Sequence, residues 1–424
     1  MAEHKVPGVS VAVAVEGRLA WATGFGVKQV ESTDSVSTTT LFQAASISKP
    51  IAATAMLKMV EDGRLDLDTP VNDYLTSWKL PDNAYTAQQP VTLRHLVSHG
   101  AGTTVWGFPG YEPGTALPTV PQILDGLPPA NTPPVRVDLT PGSAWRYSGG
   151  GATIAQLAIA EVAGEAFSDV LDDLVLRPFG MEHSTFAQPL QPDRFEEAAA
   201  GHRGGAALPG RWHVYPELAA AGLWTTPSDL VTWAIEIASA YQGGSGALLP
   251  EDLAREMLTP QEGSTGLGPS LGGTGPGFFF GHAGANAGFV AQLVYFPETG
   301  QGAAVMTNAE TGGRLIREIL LAIGAEYGWP DYAEVTPFVR DPSSLTAYFG
   351  TFAAQQLPVT VTVAREGGTL FVDGVGALGH QEILFLSPNR AITLGTGTEL
   401  VFRTTAAGEV TSVESMGLIM ARQE

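Results

Sequence analysis

Gln43–Pro50 reads QAASISKP and places Ser46 three residues ahead of Lys49, at the point where a helix is predicted to begin. Ile51, Met56, Leu57 and Val60 recur at helical spacing, Pro50 suits a first turn and Gly63 follows the last, so the pattern predicts a helix over 46–61. Residues three apart share a helix face, which lets the Lys49 amine reach the Ser46 hydroxyl. A serine is a poor nucleophile near neutral pH unless a neighbour takes its proton. A lysine can do so once burial or a nearby cation has lowered its pKa. A helix start adds positive potential and free backbone N–H groups able to hold an oxyanion. Ser-x-x-Lys is a short pattern, and alone it reads equally well as a helix-start serine beside a surface lysine.

Upstream, Val9, Val11, Val13 and Val15 alternate with small residues, Glu16-Gly17-Arg18 turns, and Leu19 to Val27 continues, so the chain opens with a hairpin. Downstream, helices are predicted at 93–99, 151–163, 167–176, 228–240 and 250–258, with a further one from Gly313 to Tyr327. Strands are predicted at 278–280, 290–296 and 302–307. Strands at both ends with helices between them imply an α/β domain whose sheet is closed by distant segments, not a parallel doubly wound sheet.

Between Ala101 and Arg146 lie nine of the 30 prolines, with one short helical candidate at Val120–Leu124. A segment this rich in proline is stiff and suits a pocket wall, and Trp106, Phe108 and Tyr111 within it are candidates to line an acyl pocket. Beyond Trp329 the helices stop. Short strands are predicted at 359–364, 369–373, 382–386, 391–394, 399–404 and 410–415, with turns at Glu366-Gly367-Gly368 and Ala407-Gly408. The expectation is a hydrolase-sized domain over 1–330, a linker over 331–342 and a small all-β barrel over 343–424.

The composition narrows the function. With 22 Lys and Arg against 43 Asp and Glu, the net charge of -21 argues against nucleic acid or an anionic membrane as partner. The absence of cysteine removes disulfides, thiolate zinc sites and a cysteine nucleophile. No apolar run is long enough to cross a bilayer. The opening MAEHKVPG carries no secretory signal, so the expectation is a cytoplasmic protein or an exported one whose leader is absent from this sequence.

At PGSAWRYSGGG, residues 141–151, a pattern emerges. Ser46-Ile47-Ser48-Lys49, Tyr147-Ser148-Gly149 and His282-Ala283-Gly284 follow one another in the order of the three motifs of penicillin-recognising serine hydrolases. The chain resembles the class C β-lactamase-related branch, which includes esterases and D-amino-acid peptidases. VPGVSVAV at the start, VTLRHLVSHGAG at 91–102, AAAGLWTTPSDL at 219–230 and GHAGANAGF at 281–289 extend the likeness across Val6 to Tyr327. The β-rich tail resembles the lipocalin-like domain of some members. The resemblance implies an antiparallel sheet flanked by helices, with a helical subdomain. It also implies attack by Ser46, proton transfer shared by Lys49 and Tyr147, and His282 where lysine is more usual. The backbone N–H groups of Ser46 and Ala285 would hold the oxyanion, and Gly149 and Asn286 would border the substrate. No metal or cofactor is expected. A phenol beside cations would lose its proton below its usual value of about 10 and act as a base.

Two departures bear on substrate. Gly149 stands where β-lactamases of this type have an asparagine that holds the substrate amide, and His282 replaces a fixed charge with a group that titrates near neutrality. Both favour an esterase or peptidase over an efficient β-lactamase. The expected substrates are therefore small esters, amides or peptides with acyl or D-amino-acyl groups. The alternatives are acyl transfer to an amine, as in cyclising thioesterases of this type, weak β-lactamase activity, and a non-catalytic binding protein that keeps the fold. Oligomeric state is left open. Gly268-Pro269-Ser270-Leu271-Gly272 lacks the strand and helix a nucleophile elbow needs, so Ser270 is read as a loop residue. His95 and His99 have no glutamate between them and are read as structural, and Asp172 and Asp173 as a solvated face.

Overall fold

A computed structural model of the chain describes residues 1–329, 338, 342–354, 360–366, 369–374, 380–393, 399–405, 408–415 and 418–423. The backbone divides into two compact units, Met1–Gly312 and Gly313–Glu424. The division falls ahead of the last long helix, where sequence placed it after that helix. Residues 331–337 and 339–341 of the expected linker lie outside the described residues.

In the first unit the opening hairpin, β1 (Gly8–Val15) and β2 (Arg18–Gly26), joins β3 (Ser270–Gly272), β4 (Phe279–Asn286), β5 (Phe289–Phe296) and β6 (Gln301–Thr307). The sheet order is β2-β1-β6-β5-β4-β3, with every neighbour antiparallel. β1 is buried from Gly8 to Ala14, because its valines and alanines fill both faces. It pairs with β6, Val9 opposite Thr307, which is the closure by distant segments that the sequence implied. Ser270, read as a loop residue, instead opens the short edge strand β3.

The helices that matter for the site are α1 (Ser48–Glu61), α2 (Leu93–Val97), α3 (Gly149–Ala163), α4 (Leu218–Ala221) and α5 (Pro227–Tyr241). α5 packs on β1 and β6, while α1 touches α3 and α4. α1 is buried along nearly its whole length, as its run of Ile51, Ala52, Ala53, Ala55, Met56 and Leu57 requires. One core joins Ile51, Met56 and Leu57 to Ile154, Trp224, Trp233, Phe280 and Phe289.

Three helix boundaries fall two residues from expectation, each for a local reason. α1 begins at Ser48, because Ala45 takes a left-handed φ of 49° and the chain enters through a tight turn over Ala45–Ile47. α2 stops at Val97, two residues before His99, which is also left-handed at φ 64°. α3 starts at Gly149, two residues earlier than predicted, because the Ser148 hydroxyl caps it by accepting the Gly151 N–H at 3.0 Å.

The second unit contains helix α6 (Gly312–Tyr327), apart from its first residue, and a closed antiparallel barrel. Its strands are β7 (Gly350–Ala354), β8 (Thr360–Glu366), β9 (Thr369–Gly374), β10 (His380–Ser387), β11 (Arg390–Thr393), β12 (Glu399–Thr404), β13 (Val410–Ser415) and β14 (Leu418–Arg422). Sequence reading found the inner six strands. It missed β7 and β14, the pair that closes the ring, with Phe352 opposite Arg422. Phe352, Val361, Val372, Phe385, Phe402 and Met420 fill the barrel interior.

Candidate active site

Ser46 lies in the turn just before α1, half-buried, with Lys49 one turn on and only 7% exposed. The Lys49 amine donates to Ser46 Oγ at 3.0 Å and to the Ala220 carbonyl of α4 at 2.9 Å. Burial pulls the Lys49 pKa down to about 7, since the charged form loses more hydration than these partners restore. The turn is anchored by Ser48, whose hydroxyl donates to the Ala45 carbonyl at 2.6 Å and accepts the Leu223 N–H at 3.0 Å. Neither Ser48 nor the Ala220 carbonyl was singled out from sequence. A backbone acceptor leaves no side-chain signal, and Ser48 looked like a spacer within the motif.

Tyr147 enters from the proline-rich segment, and its ring centroid lies 4.9 Å from the Lys49 nitrogen. The ring is packed among His99 at 4.3 Å, Trp106 at 5.2 Å, His282 at 6.2 Å and Trp145 at 6.4 Å, centroid to centroid. Ser148 orients it: the Ser148 hydroxyl donates to the Thr104 carbonyl at 2.7 Å, and the Ser148 N–H donates to His99 Nδ1 at 3.3 Å. Burial pushes the Tyr147 phenol up, and the opposing interaction with the Ser46 hydroxyl is smaller. The expectation of a phenol acidified by cations is therefore corrected, because the groups that would have acidified it are themselves driven toward neutrality.

His282 lies on β4 and is 6% exposed. Burial first, and the nearby Lys49 charge second, bring its pKa down to about 4, so it does not titrate near neutrality as its residue type suggested. Two residues on, Gly284 lets β4 lie directly against the Ser46 turn, for a Cβ there would stand 2.0 Å from the Ala44 carbonyl oxygen. That close approach places Ala285, the candidate oxyanion donor, on the strand beside the turn.

The remaining candidates fall into two groups. Trp106, 53% exposed, and Phe108 flank the site beside Gly149, where an added Cβ would meet the Phe108 ring at 3.0 Å and the Trp106 carbonyl at 3.1 Å. Tyr111 and Asn286 are tied into the framework. The Tyr111 hydroxyl accepts the Asn131 N–H at 3.2 Å. The Asn286 amide donates to Gln43 Oε1 at 2.8 Å and to the Ala221 carbonyl at 3.1 Å.

Comparison with known proteins identifies the family to which the chain belongs. The Beta-lactamase family model matches residues 1–325. The chain belongs to the Beta-lactamase family, and its class is that of a serine hydrolase. It is 26% identical over 385 residues to penicillin-binding protein 4 of Amycolatopsis lactamdurans, covering 86% of this chain and 95% of that protein. It is 28% identical over 320 residues to esterase EstB of Burkholderia gladioli, covering 67% of this chain and 76% of that protein. The crystal structure of SurE superposes with a TM-score of 0.64 at 25% identity, covering 100% of this chain and 96% of that one. Among the described residues no helix is long and apolar enough to cross a membrane.

Proposed function

We propose that the chain hydrolyses esters or amides of small acyl or D-amino-acyl groups through an acyl-enzyme at Ser46, with 1–330 as the hydrolase domain. The observation that carries this reading is the Lys49 amine 3.0 Å from Ser46 Oγ with its pKa brought down to about 7. At neutral pH a large share of the enzyme then holds a free amine beside the hydroxyl, as general base catalysis needs. Ser46 Oγ attacks the carbonyl carbon as its proton passes to Lys49, and the backbone N–H groups of Ser46 and Ala285 take the oxyanion. Tyr147, a neutral phenol, passes its proton to the leaving oxygen or nitrogen and is reprotonated by the Lys49 ammonium, which returns Lys49 to the free amine for the second half of the reaction. Water then attacks the acyl-enzyme in the reverse sense and frees the acid. His282, neutral above pH 4 or so, offers the substrate a hydrogen-bonding group without fixed charge. Gly149 has no side chain to hold a β-lactam amide, and Phe108 fills the adjacent space. Both features favour simple esters. The name of the esterase relative supports the same class of substrate.

The test is intact-mass spectrometry after treatment with a fluorophosphonate and, separately, a penicillin, on the parent and on Ser46→Ala. An adduct on the parent alone is expected. Fluorophosphonate labelling that persists in the variant, or its absence from both proteins, overturns the reading, whereas the penicillin arm reads whether β-lactams acylate the same serine.

A further inference from the structure

Lys49 also lines a cavity of about 20 Å³ whose wall does not include Ser46. Its polar side chains are those of Lys49 and His99, and the rest of its wall is apolar, including Ala52, Met56, Leu96 and Ile159. His99 is 4% exposed. Its Nδ1 accepts the Ser148 N–H at 3.3 Å, and since a backbone N–H can only donate, the proton of the neutral ring lies on Nε2. Nε2 is buried and has no hydrogen-bond partner in the protein. The backbone of His99 is left-handed at φ 64°, which fixes where the ring leaves the chain after α2.

The Lys49 nitrogen has the complementary need. As an ammonium it carries three N–H groups, and the protein supplies two partners, Ser46 Oγ and the Ala220 carbonyl. The cavity is large enough for one water, whose oxygen can accept two hydrogen bonds. We propose that His99 is a positioning residue for the reaction: its Nε2–H holds one water in this cavity, and that water is the third partner of the Lys49 nitrogen. The inference rests on Ser46 and Lys49 acting as described above.

The proton count is consistent. As a free amine, Lys49 gives its two N–H groups to the Ala220 carbonyl and the water, which leaves its lone pair facing the Ser46 hydroxyl. When that proton crosses, both acceptors stay in place and the new N–H points back toward Ser46. Without the water one N–H of the ammonium faces apolar groups, which favours the free amine and lowers the Lys49 pKa further. The other titratable groups around Lys49 are Tyr147 ahead of α3 and His282 on β4. Ahead of α4 lies Glu217, buried, without a protein partner and pushed up to about 8 by that burial. These three groups are unchanged in the variants below.

Asparagine and glutamine separate the two nitrogens of His99. His99→Asn keeps an acceptor where Nδ1 stands and has nothing at Nε2. His99→Gln keeps a donor near the Nε2 position and loses the acceptor for Ser148. The rate of Ser46 phosphonylation between pH 5 and 9, normalised to total labelled sites, reads the Lys49 limb whatever the natural substrate. We expect His99→Asn to move the acid limb down by about one pH unit and lower the plateau about tenfold, with His99→Gln within twofold of the parent. A role confined to latching Ser148 gives the reverse order. That order, or equal profiles for the two variants, overturns the proposal. A parent that takes no label at Ser46 strikes the proposed function instead.

Discussion

Each unit of this molecule holds a basic side chain against its core, Lys49 buried and Arg422 half-buried, and the two are treated in opposite ways. In the first unit the Lys49 amine has two protein acceptors and borders a cavity whose other polar side chain is His99, and burial brings it down to about 7. In the barrel the Arg422 guanidinium donates to the carbonyls of Ala347, Val410 and Phe349 and lies over the Phe352 ring at 5.5 Å. Shortage of partners makes a base. Abundance of partners makes a rivet, for a planar guanidinium with several donors can satisfy three backbone carbonyls at once where a strand pair closes the ring. The same act, removing a cation from water, yields reactivity or rigidity according to how many acceptors are supplied.

The sharpest break of this contrast is at Lys49. Lys49→Met and Lys49→Arg should each lower the rate of Ser46 phosphonylation by about 10³ to 10⁴, because methionine has no base and arginine does not give up its proton. Activity retained by the arginine variant would remove Lys49 from the proton path. In the parent the rate should fall about tenfold per pH unit below 7, as the amine gains its proton, and level off above, with no further limb from His282 until about pH 4.

A smaller loss is expected from Gly284→Ala, whose Cβ would force β4 away from the Ala44 carbonyl and with it the Ala285 N–H. The rate should drop about 10² to 10³, the usual cost of losing an oxyanion donor, without a shift in the pH limb. A moved limb would instead assign the damage to Lys49.

The mildest effect on chemistry belongs to the barrel. Arg422→Met leaves three carbonyls without this donor and should destabilise the second unit by roughly 2–4 kcal/mol. That would appear as a lower denaturant midpoint, with Ser46 labelling per folded molecule unchanged. If labelling falls in step with stability, the two cations are not independent.

How much of this was legible in the sequence depended on where the information lay. Ser46 and Lys49 announce themselves because their relation is local, set by helix pitch, and Tyr147 and His282 because each sits in a recognisable string. Closure of the sheet by distant segments followed from strand-rich ends, and its antiparallel order from the family resemblance. Tertiary facts were hidden: the Ala220 carbonyl has no side chain to read, and the acidity of Tyr147 and His282 depends on enclosure that residue type does not report. His99 was set aside because its spacing from His95 suggested a metal motif that failed, and nothing in the string tells that it packs on Tyr147. β7 and β14 escaped notice because Gly350–Ala354 reads GTFAA, whose glycine and alanines are poor strand formers, and Leu418–Arg422 reads as helix-forming.

The pairing of β1 with β6 also sets a schedule for synthesis. Val9 waits for Thr307 before one of its two edges is covered. At cellular elongation rates the ribosome needs roughly 15–60 s to add the intervening residues. For that interval the opening hairpin is a sticky valine-rich ribbon, apolar on both faces. Newly made chains should therefore depend on holding factors early and release them only as translation passes the sixth strand.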